Sequence, residues 1–323
     1  MPSDSRDACS QSHDSSVLPP LVAIVGPTAV GKTQLAVQVA ERLGAEIVSA
    51  DSRQVYRYMD IGTAKPTSEQ MRRVRHHLVD VVNPDEAYTL AQYQVMAYES
   101  IDELCDRGAL ALLVGGTGQY VRAIVEGWTI PRVAPDRELR SRLYARAEAE
   151  GKEAIHAELN RVDPVAARRI DPRNVRRVIR ALEVYAATGI PISRLQKKGP
   201  PRYRVLQIGL TREREKLYER VDRRVDGMMA AGLVDEVRGL VARGYDYSLP
   251  SMSGLGYRQI GMHLQGEVSL QEAEQLIKRH TRRFIRQQYN WFRLSDARIQ
   301  WYDTGLDPYD EILIRILEFV SAE

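Results

Sequence analysis

The chain has 323 residues, of which 44% are hydrophobic and 28% charged, and this composition excludes a disordered chain. Lys and Arg number 46 against 43 Asp and Glu, and the resulting net charge of +3 is too small to indicate a nucleic-acid or membrane partner. No apolar run approaches the ~20 residues of a membrane-spanning helix, so no membrane association is expected.

The two cysteines and the N-terminus indicate a cytoplasmic protein. Cys9 and Cys105 lie far apart in the sequence, which excludes a disulfide framework and a zinc site of four cysteines. Residues 1–19 are rich in Ser and Asp and lack an apolar core. We therefore predict a disordered tail there, and not a signal peptide.

The first motif is a phosphate-binding loop between an apolar run at residues 21–25 and a segment of helical periodicity. Its spacing, G-x-x-x-x-G-K-[ST], is that of nucleotide-binding loops, including those of ATP-binding proteins. Such a loop collects backbone N–H groups and a helix N-terminus around a di- or triphosphate. Lys32 would reach the outer phosphate, and the Thr33 hydroxyl would ligate Mg²⁺. The predicted diphosphate-binding residues are Gly26, Pro27, Thr28, Ala29, Val30, Gly31, Lys32 and Thr33.

The second candidate is Asp51, which directly follows the apolar residues 47–50. Ligands of a parallel sheet lie beyond the carboxyl ends of its strands, so Asp51 is expected to face the loop across a cleft. The alternative is that Asp51 caps the turn that follows it. Its position alone leaves both interpretations open.

Further apolar runs at residues 109–114 and 205–210 predict buried parallel strands. The first ends in a Gly-Gly-Thr-Gly turn, where a P-loop ATPase would usually place an Mg²⁺-binding Asp, which argues modestly against ATP hydrolysis. The adjacent histidines, His76 and His77, would point to opposite faces of a strand, so no metal site is expected there. The predicted fold class is α/β, a P-loop core with a parallel sheet flanked by helices, plus an inserted all-helical domain.

The insertion is predicted at residues 131–198, where Ala- and Arg-rich helical sequence contains no strand-like run. Residues 20–130 and 199–323 would then form the catalytic core. Six arginines between residues 168 and 180 have only Asp171 as a nearby acid. They form either a solvated helix face or a surface that follows the phosphates of a nucleic acid.

The last long helical segment is also basic. Its residues Arg279, Arg283, Arg286 and Arg293 recur at spacings of 4, 3 and 7, which predicts one helix face, while Ile277, Phe284, Gln288 and Trp291 would face elsewhere. Basic side chains beside aromatic ones suit an RNA backbone with unstacked bases.

Together these motifs resemble the tRNA dimethylallyltransferase (tRNA isopentenyltransferase) family. In that family the loop G-P-T-A-x-G-K-T precedes D-S-x-Q-x-Y and D-I-G-T-A-K-P, and residues 26–33, 51–56 and 60–66 match without a gap. The resemblance extends from about residue 20 to about residue 293. It includes the turn at residues 115–118 and the segments 176–184, 220–228, 253–259 and 286–293.

The resemblance implies transfer of a dimethylallyl group from dimethylallyl diphosphate to N6 of the adenosine 3′ to the anticodon. It implies Mg²⁺ as cofactor, the tRNA anticodon stem-loop as partner, and a cytoplasmic monomer. The catalytic candidates are Asp51, as the base, and Arg224, which grips the diphosphate and has Arg220 as its alternate. The implied tRNA-binding residues are Asp51, Ser52, Arg53, Gln54, Thr117, Arg140, Arg176, Arg177, Arg180, Gly256, Tyr257, Arg258, Arg283, Arg286, Gln288, Trp291 and Arg293.

Without the resemblance, the residues leave two other functions open. One is a small-molecule or nucleoside kinase, in which the loop holds ATP and Asp51 takes a proton from a hydroxyl group. The other is an RNA-binding module with a structural nucleotide and no turnover.

Overall fold

A computed structural model describes residues 18–322. Its strands are β1 (Pro20–Val25), β2 (Glu46–Ser49), β3 (His76–His77), β4 (Ala111–Gly115), β5 (Arg204–Thr211) and β6 (Ile299–Asp303). They form one sheet in the order β3-β2-β4-β1-β5-β6, and every neighbouring pair is parallel. The predicted α/β class with a parallel sheet flanked by helices is therefore confirmed.

Helices alternate with these strands or follow one another between them. They are α1 (Lys32–Leu43), α2 (Ser68–Arg73), α3 (Leu90–Asp106), α4 (Gly118–Val125), α5 (Arg137–Ala149), α6 (Lys152–Val162), α7 (Pro164–Arg169), α8 (Val175–Thr188), α9 (Ile192–Leu195), α10 (Arg214–Ala230), α11 (Leu233–Ala242), α12 (Tyr257–Leu264), α13 (Leu270–Trp291) and α14 (Tyr309–Ser321). Local sequence sets several of their ends. Thr89 with Gln92 and Ser269 with Glu272 form capping boxes at the starts of α3 and α13.

The central strand β1 is apolar because both faces of the sheet are covered by helices. Residues 21–25 are fully buried, and Ala23 lies between Leu113 of β4 and Gln207 of β5. Because all strands run the same way, the carboxyl ends of β1, β2 and β4 lie at one edge of the sheet. The phosphate-binding loop, Asp51 and the turn at residues 115–118 therefore meet at that edge.

Strand β6 was not predicted. It adds to the edge of the sheet beside β5, and all of its residues after Ile299 are only partly buried. Its sequence, Ile-Gln-Trp-Tyr-Asp, has no apolar run of the kind that marked the central strands. A strand with one open edge does not need one.

The helices α5 to α9 bury a hydrophobic cluster of their own, which includes Leu143, Ile155, Leu159, Val178 and Leu182. The chain enters and leaves this region side by side, since residues 128 and 198 form an antiparallel bridge. We retain as a proposal that residues 131–198 are an insertion into a core made of residues 20–130 and 199–323.

One sequence prediction concerns a part of the chain beyond this description. Residues 1–17 of the predicted disordered tail, with Cys9, lie outside the described residues. Across residues 18–322, no helix combines the length and apolar character that crossing a bilayer requires.

Candidate active site

The phosphate-binding loop follows β1 and turns sharply into α1. Gly26 has φ of 141°, and a Cβ added there would lie 2.4 Å from the Leu210 carbonyl oxygen, so a side chain cannot be accommodated. Gly31 has φ of 112° and is the N-cap of α1. Both glycines of the motif are therefore required by the backbone geometry of the loop.

Three side chains from three helices brace this loop. Lys32 Nζ donates hydrogen bonds to the carbonyl oxygens of Gly26 and Pro27, at 3.0 and 2.8 Å. Arg220 Nε of α10 donates to the Ala29 carbonyl oxygen at 2.8 Å. The third side chain is Gln288 of α13, whose Oε1 accepts the Thr28 backbone N–H at 2.8 Å.

The loop forms one wall of a cleft of about 520 Å³. Its lining brings together the predicted Thr28, Ala29, Gly31, Lys32, Thr33, Asp51, Gln54 and Arg224 with the alternate Arg220, and adds Arg223. Lys65 also lines it, but this ammonium group is paired with Asp60 and Asp80 at 2.6 and 2.5 Å. The other lining cations face a single carboxylate, Asp51, so the cleft carries excess positive charge.

Burial perturbs the two predicted cations of the cleft. Desolvation lowers the pKa of Lys32 to about 8, with nearby Asp51 opposing the shift and Arg224 adding to it. Desolvation also lowers the pKa of Arg224, against the attraction of Asp51. Asp51 favours the charged form of both cations, and all three groups line the same cleft. An anionic ligand would offset the electrostatic cost of these buried positive charges.

Asp51 fulfils both interpretations that the sequence left open. Its Oδ1 accepts the backbone N–H of Arg53 at 2.8 Å, so the carboxylate does cap the turn after β2. The same residue lines the cleft. No hydrogen bond from any residue between 18 and 322 reaches Oδ2, which leaves this oxygen available to accept a proton.

The turn that carries Asp51 is joined to the Gly-Gly-Thr-Gly turn. Thr117 Oγ1 accepts the Ser52 N–H at 3.1 Å, and the Thr117 N–H donates to the Ala50 carbonyl oxygen at 3.2 Å. A Cβ on Gly115 would lie 2.1 Å from the same Ala50 oxygen. The glycine thus permits the close approach that brings Thr117 beside Asp51.

Glu236 fixes the backbone of residues 60–62, which follow the turn that carries Asp51. The sequence analysis did not identify this residue. Its carboxylate accepts the three consecutive N–H groups of residues 60–62, at 2.9, 2.7 and 3.1 Å, and the Tyr257 hydroxyl at 2.6 Å. An acidic residue in the first turn of a helix is common and gives no signal of such long-range partners.

Comparisons with known proteins identify the family. Residues 54–295 match the model of the IPP transferase family. The chain belongs to this family. The predicted resemblance, and with it the assignment as a prenyltransferase enzyme, is confirmed.

Relatives and solved structures agree with this assignment. The chain is 57% identical over 274 residues to a tRNA dimethylallyltransferase of Roseiflexus castenholzii, which is 85% of this chain and 90% of the relative. A full-length tRNA isopentenylpyrophosphate transferase of Bacillus halodurans has a TM-score of 0.69 and 43% identity, over 93% of this chain and 96% of that one. A eukaryotic dimethylallyltransferase acting on tRNA has a TM-score of 0.76 and 25% identity, over 90% and 76% of the two chains.

Many of the tRNA-binding candidates of this IPP transferase family member lie on the surface. Exposed positions are Arg176, Arg177, Arg258, Arg283, Arg286 and Arg293, whereas Ser52, Arg53, Gln54 and Thr117 are partly buried around the cleft. Arg53 Nη1 donates to the Pro250 carbonyl oxygen at 3.0 Å, and Gln54 Nε2 donates to the Ala64 oxygen at 3.1 Å. These two side chains therefore also fix the segment that follows Asp51.

Three residues predicted to bind tRNA, Gly256, Tyr257 and Gln288, are buried in this structure. Tyr257 is 1% exposed, and its hydroxyl donates a hydrogen bond to Glu236. Burial, and next the nearby Glu236 carboxylate, raises the pKa of Tyr257. The neighbouring Gly256 is buried as well. Gln288 is 3% exposed and bonds to backbone on both sides. In this arrangement these residues support the site and do not present a side chain to RNA.

Arg140 and Arg180 are less available than the sequence suggested. Both bind the carboxylate of Glu183, which is 1% exposed, at 2.7 and 2.5 Å. Arg180 also donates to the Val133 carbonyl oxygen at 3.1 Å. Glu183 is the one acid among the buried residues of α8, which are otherwise apolar. An acid in such an apolar pattern is the signal that could have predicted its ion pairs with Arg140 and Arg180.

The basic face of α13 is shorter than predicted. The helix ends at Trp291, so Arg293 lies beyond it and does not continue the helical spacing. Phe284 is exposed although Ile277, predicted to face the same side of the helix, is buried. Trp291 packs against Gly118, where an added Cβ would lie 2.3 Å from the indole ring. This tryptophan therefore packs against the core.

Proposed function

We propose that this chain transfers a dimethylallyl group from dimethylallyl diphosphate to the N6 amine of a tRNA adenosine and releases diphosphate. The observation that supports this most is the cleft in which Asp51 lies beside Lys32 and Arg224 at the phosphate-binding loop. It combines a proton acceptor with an anion site in one cavity. The family assignment supplies the reaction class.

The loop would bind the diphosphate of the donor. Lys32, Arg224 and the N-terminus of α1 are suited to the negative charge that the leaving group gathers in the transition state. Because the cations are desolvated before the donor arrives, their attraction for it is weakened little by solvent. Arg220 would act mainly through the loop, since its guanidinium already binds the Ala29 carbonyl oxygen.

Asp51 would act as the base. An exocyclic amine is a weak nucleophile, and removal of its proton as the N–C bond forms makes attack on the allylic carbon easier. Oδ1 is occupied by the turn, and Oδ2 would receive the proton. The division fixes the carboxylate in orientation while leaving one oxygen for the reaction.

The residues present fit Mg²⁺ shared with the donor phosphates. No group of three or more His, Cys, Asp or Glu side chains within residues 18–322 could hold a metal ion by itself. The Thr33 hydroxyl lines the cleft, and one protein oxygen with phosphate oxygens and waters is a usual Mg²⁺ environment. When bound, the ion would neutralise charge on the diphosphate.

The tRNA would be bound through its anticodon stem-loop, with the reacting adenosine 3′ to the anticodon. To enter the cleft, the adenosine must leave its base stack. A base in a single-stranded loop can do this at a cost of a few kcal/mol. The exposed arginines of α8 and α13 would bind phosphates. Because one chain carries both the cleft and these surfaces, we propose a monomer that works on cytoplasmic tRNA.

The test is incubation with Mg²⁺, radiolabelled dimethylallyl diphosphate and an unmodified tRNA that has adenosine 3′ to its anticodon. The expected product after nuclease digestion is labelled N6-dimethylallyladenosine. A tRNA with guanosine at that position is the matched control and should receive no label.

A parallel incubation with labelled ATP and candidate hydroxyl acceptors examines the kinase alternative. We expect no phosphoryl transfer. Phosphorylated acceptor together with unlabelled tRNA would refute the proposed function.

A further inference from the structure

Gln288 connects two turns of the cleft that are distant in sequence. Its Oε1 accepts the Thr28 N–H at 2.8 Å, and its Nε2 donates to the Gly116 carbonyl oxygen at 3.1 Å. The partners, one N–H and one C=O, define which end of the amide carries the oxygen. Because the side chain is 3% exposed, neither end faces a ligand outside the protein.

The surrounding contacts are tight. A Cβ added to Gly116 would lie 2.3 Å from Gln288 Nε2, and one added to Gly118 would lie 2.3 Å from Trp291. Arg122 of α4 donates to the Trp291 carbonyl oxygen at 2.6 Å. The end of α13 thus rests directly on the turn at residues 115–118 and on the helix that follows it.

Gln288 also acts on one side of the phosphate-binding loop. Lys32 binds the carbonyl oxygens of Gly26 and Pro27 from within the loop, and Gln288 binds the next N–H, that of Thr28. The first residues of the loop are thereby fixed by two side chains. Without Gln288, the partly buried Thr28 N–H and the buried Gly116 oxygen would lose their partner, which is costly enough to shift the backbone.

We propose that Gln288 is a positioning residue for the diphosphate site, which fixes the loop at Thr28 against the turn at Gly116. This inference rests on the proposed function for the identity of the donor. Exposed Arg283 and Arg286 lie on the same helix. Through Gln288, the helix proposed to bind tRNA is therefore part of the scaffold of the donor site.

Two variants break the bridge from opposite ends. Gln288→Met keeps the length of the side chain and removes both hydrogen bonds. Gly116→Ala displaces the Gln288 amide, because the nearest atom to the new Cβ is the end of that flexible side chain. Each should weaken the binding of inorganic diphosphate with Mg²⁺, measured by titration calorimetry, by roughly tenfold. The KM for dimethylallyl diphosphate should rise in parallel, and tRNA affinity should change less than about threefold.

The control is Gln271→Met, the same change at an exposed position of α13, which should leave diphosphate affinity unchanged. The double variant Gln288→Met with Gly116→Ala should bind diphosphate with about the affinity of the single variant that binds it less tightly. The two effects should not add, because both substitutions remove the same bridge.

Retained diphosphate affinity in the folded single variants would overturn the proposal, and so would a loss confined to tRNA affinity. If circular dichroism shows that Gln288→Met does not fold, Gly116→Ala decides the question. Diphosphate binding needs no turnover, so a wild-type chain that binds diphosphate but transfers no dimethylallyl group would refute the proposed function while the result for Gln288 stands.

Discussion

Lys32 and Arg224 in the cleft have pKa values lowered by burial, whereas Arg283 and Arg286 on α13 are exposed and have no carboxylate partner in the part of the chain that the structure describes. The two regions carry the same charge in different surroundings. Buried cations attract a ligand strongly at short range, because little solvent screens them. Exposed cations act at longer range and lose strength as salt increases. We therefore expect the cleft to govern the donor and turnover, and the surface to govern tRNA affinity.

The largest effect should come from Asp51→Asn. The amide can still accept the Arg53 N–H and cap the turn, but it cannot take a proton from the amine. Turnover should fall by about 10²–10⁴, with donor and tRNA affinities within a few-fold of wild type. Single-turnover kinetics with saturating substrates measure this.

The control for Asp51→Asn is Asp235→Asn, the same substitution at an exposed carboxylate of α11, which should leave turnover unchanged. If Asp51→Asn retained wild-type turnover, Asp51 would not be the base.

A second comparison separates two arginines within the cleft. Arg224→Ala should lower kcat/KM for the donor by roughly 10²-fold, since it removes a desolvated cation beside Lys32 and Asp51. Arg220→Ala should have a smaller effect because that guanidinium is already engaged by the Ala29 carbonyl oxygen. The reverse order in steady-state kinetics would move the diphosphate role to Arg220.

The surface should respond differently to charge reversal. Arg283→Glu with Arg286→Glu should weaken tRNA affinity more than about tenfold and reduce its dependence on salt, while diphosphate affinity stays unchanged. Filter binding at several salt concentrations measures both quantities.

The matched control for this pair is Arg42→Glu with Arg72→Glu, two exposed arginines in the last turns of α1 and α2, at the end of the sheet away from the cleft. It makes the same change in net charge and should leave tRNA affinity intact. Equal losses in the two double variants would mean that total charge, and not the face of α13, controls binding.

The smallest effect should come from pH. Free Lys32 has a pKa of about 8, so it is charged below that pH and neutral above it. Donor affinity should therefore fall as pH rises through 8, by no more than about tenfold per unit, because only the charged form attracts the diphosphate. Lys32→Arg stays charged throughout this range and should give a flat profile between pH 7 and 9.

The sequence was most informative where function depends on neighbouring residues. Short-range patterns predicted both glycines of the loop and the position of Asp51 directly after a strand. The resemblance to the family then indicated which reaction these residues perform. Helical periodicity predicted that Arg283 and Arg286 share an exposed region. It could not show that the helix ends before Arg293, because the Trp291-Phe292 pair continues the apolar and aromatic pattern.

Contacts between distant segments were beyond such patterns. Gln288 lies 260 residues from Thr28, and its spacing on α13 shows only which face it occupies. A side chain on an inner face can bind backbone as readily as RNA, and in this structure Gln288 binds backbone at both ends. The same limit applies to Arg140 of α5, whose carboxylate partner Glu183 lies on α8, three helices further along the chain.

The order of strands in the sheet also determines how the protein can fold during synthesis. Leu21 of β1 pairs with Ala111 of β4 and with Val205 of β5. The first strand to be synthesised therefore gains its second neighbour, β5, only after about 180 further residues have been made. At usual rates of translation, β1 waits roughly 10–40 s for β5, with an apolar edge unpaired. The helices of residues 137–195 can bury their own cluster in the meantime. Newly made chains therefore depend on protection of β1 from aggregation until β5, about two thirds of the way along the chain, has left the ribosome.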